Sequence, residues 1–115
     1  MTPKELNQRL LDNFPNILEK FEEETSWQEG LETGSTVVFE DVFIPYIQQV
    51  IAGKDEQQIE KIFVFLEQLL NENDEYALMV VVVSVLENFA SEEDFSMYTK
   101  YMKPTTLANF NKLFD

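Results

Sequence analysis

An all-α fold is what this sequence predicts, and three observations predict it. Apolar residues recur at three- and four-residue spacing through the long segments. Helix-start signals, in which Thr, Asp or Ser precedes an acidic first turn, return at regular intervals. Gly and Pro number only 3 and 4, which argues against a turn-rich β-sandwich. With 115 residues and 10 Phe, the chain is a single domain, 1–115, able to bury a core without disulfides or metals.

The elements follow in order. Thr2-Pro3-Lys4-Glu5 reads as a capping box with Pro at the first helical position, and Leu6, Leu10 and Leu11 supply the apolar stripe behind it. Asn13-Phe14-Pro15 breaks that helix and starts a second, which carries Ile17, Leu18 and Phe21. Thr25 to Ser35 holds two of the three Gly and is the long loop. From Thr36, Val38, Val42, Tyr46 and Val50 lie at near-helical spacing, with Phe39, Phe43, Ile47 and Ile51 beside them. Pro45 lies inside this pattern and is expected to kink or divide the helix, because it has no N–H. A strand over Thr36 to Ile44 is ruled out by Glu40-Asp41, which breaks the alternation.

Gly53 is read as the stop of this helix and Asp55 as the cap of the next, with Ile59, Ile62, Phe63, Leu66, Leu69 and Leu70 on one face. Asp74 caps a helix apolar all round, EYALMVVVVSVLENFA, expected to be the buried central element despite the strand propensity of Val80 to Val83. Ser91 to Asp94 caps a further helix with Phe95, Tyr98, Tyr101 and Met102. Pro104 begins the last, with Leu107, Phe110 and Phe114. Six or seven short helices result. Asp55 to Gln58 and Ser91 to Asp94 are similar caps 36 residues apart. That spacing is compatible with a short HEAT-like α-solenoid as well as with a compact irregular bundle.

Composition removes most chemistry. There are no Cys and no His. Disulfides, thiolate nucleophiles, imidazole bases and zinc–sulfur sites are therefore absent. Ser84 has no His base for a triad, and Gly30 and Gly34 are followed by no phosphate-binding Lys. Asn71 to Glu75 lacks the Gly and the spaced Glu of a calcium loop. Glu19, Glu22 and Glu23 read as a solvated helix face rather than a metal site, since helical di-metal sites pair Glu with His. No metal and no cofactor are expected, and no catalytic residue is assigned.

Charge is where the chain departs from a plain helical domain. Net charge is −14, from 22 acids against 8 bases. Nucleic acid and anionic membranes are poor partners for such a surface, and a basic protein is its complement. Solubility alone is the simpler explanation of the same charge. Glu19 to Asp41 carries eight acids and one base, half of the net charge, and contains Trp27, the sole Trp. A Trp in a polar loop is either an interface anchor or a ring folded back into the core. The candidate partner-binding residues are Trp27, Glu23, Glu24, Glu29, Glu32, Glu40 and Asp41. A second acidic stretch, Glu67 to Asp94, is explained by helix caps and first turns. The start of the chain has no signal-peptide pattern and no apolar run is long enough to span a bilayer, so cytoplasmic residence is expected, and the like charge of two copies leads to the expectation of a monomer.

Three segments carry a resemblance: WQEG at Trp27 to Gly30, VVFEDVFIPYI at Val37 to Ile47, and NDEYALMVVVVSVLE at Asn73 to Glu87. They resemble an uncharacterised family of small acidic all-helical bacterial proteins, similar in style to immunity proteins of toxin systems. The resemblance transfers no active site. It implies a protein that binds and neutralises a basic partner such as a toxin, its acids covering a cationic surface. Two other classes remain open. One is a self-assembling or scaffolding helical-repeat protein, which the like charge opposes. The other is a carboxylate-only enzyme, which the missing His and Cys disfavour.

Overall fold

The computed structural model describes all 115 residues, and the chain is all-helical with no strand. Helix α1 spans Pro3–Asn13. The predicted capping box opens it: the Thr2 hydroxyl accepts from the Glu5 N–H at 3.1 Å, and the Glu5 carboxylate accepts from the Thr2 N–H at 3.0 Å. Phe14, restricted by the following Pro, leaves helical geometry, and a 3-10 turn at Pro15–Ile17 leads into α2, Leu18–Thr25.

Helix α3 is three continuous runs, Ser35–Val38, Phe39–Phe43 and Ile44–Ala52. The middle run is a π turn, in which the Ile44 N–H reaches back five residues to the Phe39 carbonyl. Of the two outcomes expected at Pro45, a kink or a division, the helix is not divided: it runs on through a local irregularity. The wide turn just before Pro45 accommodates a residue that has no N–H to give. Gly53 caps this helix in an ordinary helical conformation, and the left-handed residue that reverses the chain is Lys54, at φ 56°. Asp55 then caps α4, Glu56–Leu70, accepting from the Gln58 N–H.

Helix α5 is likewise continuous through Glu75–Val80, a π turn at Val81–Leu86, and Glu87–Ala90, with Asp74 accepting from the Ala77 N–H at 2.9 Å. It is not buried on every side as predicted. Ala77, Val80, Val81, Ser84, Val85 and Phe89 face the core, while Leu78, Met79 and Val83 are each about 40% exposed. A domain of this size has too few helices to surround one of its own. The helix predicted after Asp94 is shorter than expected. It is the single turn α6, Ser96–Thr99, because Pro104 forces Lys103 into extended backbone before α7, Pro104–Lys112.

The seven helices share one core of 28 buried apolar residues. At one end Phe14 and Phe43 each meet Phe65 edge-on and lie tilted against one another, with ring centroids 5.2–5.8 Å apart. At the other, Tyr98 of α6 stacks on Phe89 of α5 at 3.9 Å. The radius of gyration, 13.4 Å, and extents of 36 × 32 × 23 Å are those of a compact globule rather than a drawn-out superhelix.

Candidate functional site

The segment that carries Trp27 is not a free loop. It turns through Ser26 to Glu29, forms a 3-10 turn at Gly30–Glu32 with Gly30 at φ +58°, and enters α3 at Ser35. One side chain on α1 fastens it. Asn7 is fully buried, and its amide donates to the Leu31 carbonyl at 2.9 Å and the Thr33 carbonyl at 2.7 Å. Its own oxygen accepts from the Ser35 hydroxyl at 2.8 Å. The Ser35 N–H in turn donates to the Tyr76 hydroxyl on α5. Three backbone groups of an otherwise irregular segment are thereby satisfied, one of them fully buried and two partly so.

Held this way, the segment places Trp27 outward, and the ring is 84% exposed. The alternative in which the indole plugs the core is overturned, since the aromatic core is already filled by Phe side chains. Glu23, Glu29, Glu32, Glu40 and Asp41 are all exposed, and Glu24 is half-buried. Glu40 and Asp41 stand on the outer side of the first π turn, while Phe39, Val42 and Phe43 of the same turn point inward.

Four of these acids fall in two separate places. Glu24 pairs with Lys20 at 2.9 Å. Its carboxylate, with Glu23 and Asp41 acting over longer range, holds the Lys20 ammonium above its ordinary value. Helix α2 and the first π turn thus bring Glu23, Glu24 and Asp41 to bear on one cation. Glu32 lies elsewhere, beside Thr2, Pro3 and Lys4 at the start of α1. Nothing in the fold brings all seven candidate residues into one small patch.

Asn7 escaped the sequence reading of the site, although a signal for it exists. It lies three, four and seven residues before Leu10, Leu11 and Phe14, a polar residue on the apolar stripe of α1. No group of three or more acids is placed to hold a metal ion, and no helix is long and apolar enough to cross a membrane.

No curated protein and no solved structure matches the chain. One family model does, over residues 7–114, which takes in the Asn7 anchor, Trp27 and both π turns. The chain therefore belongs to the family described as Domain of unknown function (DUF7674).

Proposed function

We propose that this chain is an acidic protein-binding module, immunity-like in style, which binds and neutralises a basic partner such as a bacterial toxin domain. The observation that supports it is the display of the Glu19 to Asp41 segment. All of its acids except the half-buried Glu24 stand in solvent, on either side along the chain of an 84% exposed indole on an anchored turn. Exposed carboxylates accelerate encounter with a cationic surface, and an exposed Trp supplies the large rigid contact that resists dissociation. The same charge works against nucleic acid and anionic lipid as partners. No catalytic role is proposed.

The test uses Trp27 itself, because it is the only Trp and so the only source of indole fluorescence. The probe is the product of the neighbouring reading frame, where that product is basic. Saturable quenching on titration is expected. Trp27→Ala, followed by calorimetry, should weaken binding by on the order of 2 kcal/mol, about thirtyfold. Gln at Glu23, Glu24, Glu40 and Asp41 should flatten the salt dependence. Unchanged binding by the Gln variants at every salt concentration would assign the acids to solubility and end the proposal.

Self-assembly as a scaffold is favoured by one observation, the exposed Leu78, Met79 and Val83 on α5. Light scattering decides it: a mass that rises with concentration and falls back in Met79→Lys carries that reading, and a constant monomer mass removes it.

A further inference from the structure

We infer that the groove between α1 and α2 seats an apolar side chain projecting from a basic amphipathic helix of the partner. This rests on the reading of the chain as an acidic binder and adds the anchor that charge alone does not provide. The groove encloses about 360 Å³. Leu11 and Phe21, nearly buried, form its floor, and Leu18 and Leu31 line it higher up. Leu18 is 45% exposed although it is continuous with that apolar lining. Removing apolar surface of this kind from water is favourable, so an apolar occupant gains from entering.

The edge of the groove selects the occupant. Asp12 and Glu22 are exposed beside it, and no Lys or Arg lines it. The one cation of the neighbouring acidic segment, Lys20, is held by Glu24 and lines a separate crevice with Val42 and Pro45. It does not offset the two carboxylates. A small neutral ligand would need buried polar groups to orient it, and the groove's acids lie at its exposed edge instead. A second copy of the chain would bring another −14. A helix with Lys or Arg three and four residues from a Leu or Phe matches both floor and edge, because those positions share one helical face.

The probes are two synthetic peptides of about five helical turns, one of Lys and Leu, the other of Lys and Ser with the same charge. The Lys/Leu peptide is expected to bind the full chain at least about tenfold more tightly than the Lys/Ser peptide. Leu18→Ser should erase that margin while leaving the far-UV circular dichroism of the folded chain unchanged. Methyl resonances of Leu11, Leu18 and Leu31 should shift on binding. Gln at Asp12 and Glu22 should weaken both peptides and reduce their salt dependence. Equal affinity for the two peptides, an unaltered margin in Leu18→Ser, or shifts confined to Leu78, Met79 and Val83 would overturn the groove proposal. The acidic-binder reading survives those outcomes as long as both peptides still bind in a salt-dependent way. Failure of both peptides to bind sinks the two readings together.

Discussion

Replacing Asn7 by Ala tests whether one amide holds the Trp27 segment in place. The substitution deletes two donated hydrogen bonds, to the carbonyls of Leu31 and Thr33, and one accepted from the Ser35 hydroxyl. At a residue with no solvent exposure, each bond is worth about 1 kcal/mol net, and the groups left behind cost about that or more if water does not reach them. The expected loss is about 3 kcal/mol, a large share of the roughly 5–15 kcal/mol that stabilises a domain. For a chain of this length that is a fall of about 12 °C in melting temperature. Urea unfolding followed by far-UV circular dichroism measures the loss. Amide exchange measures its location, since Leu31 to Ser35 should lose protection before the core of α4 does. Asn7→Asp is a control: it keeps the size but removes the donors, and it should cost at least as much at neutral pH. A variant within about 1 kcal/mol of the parent, or one that loosens the whole chain evenly, would show that the segment is held by something else.

Three further outcomes are expected. Glu67→Ala should cost about 2 kcal/mol by thermal unfolding, because the Glu67 carboxylate on α4 accepts from the Thr105 and Thr106 N–H groups and the Thr106 hydroxyl at 2.8–3.0 Å, capping a helix whose own N-cap, Lys103, gives no side-chain bond; an unchanged midpoint refutes this. Trp27→Ala should leave the melting temperature within a few degrees of the parent, since an 84% exposed ring loses little burial, and a large fall would contradict the placement of the indole. Stability should also decline in acid. For Glu67, burial pushes the carboxyl up but the Thr105 and Thr106 hydrogen bonds outweigh it, and Glu72 is held low by Arg9, Asp74 by the Met1 ammonium, Glu5 by Thr2 and Asp94 by Ser96. Depressed carboxyls contribute stability that is complete above the ordinary carboxylate pKa of about 4 and is lost as pH falls through their folded values. Urea midpoints taken at about 1 M salt, to screen the net charge, should be flat near neutrality and drop below about pH 4; a midpoint that rises on acidification contradicts the assignment.

What was legible in the sequence was local. Thr2, Asp55 and Asp74 announce their helices because a cap acts on an N–H only three residues away. The cap of α7 could not be found this way, since Glu67 lies 38 residues before Thr105 and reaches it only through tertiary folding. The exposure of Trp27 is also non-local, being set by Asn7 on a different helix. The π turns left a trace that passed as ordinary helix. Val38, Val42, Tyr46 and Val50 repeat every four residues, as do Ala77, Val81, Val85 and Phe89. On a straight α-helix such a stripe would drift about 40° at each step. The wide turns take up that drift, which is how Ala77, Val81, Val85 and Phe89 all reach the core.

Those two turns also bear on how long the chain must be. A π turn is an α-helix with one residue to spare, and removing that residue restores regular geometry on both sides. In α5 the loss of Val82 or Val83, both at least partly open to solvent, would turn the spacing from Ala77 to Phe89 into the ordinary alternation of fours and a three. The inward faces before and after the turn would keep their orientation, because the residue removed is the one that widens the turn. In α3 the residues open to the same loss are Glu40 and Asp41, so a shorter relative would keep its core and give up an acid. In this chain, a one-residue deletion at either wide turn is therefore expected to be register-neutral, whereas the same deletion in a regular stretch of either helix would rotate everything beyond it by about 100°.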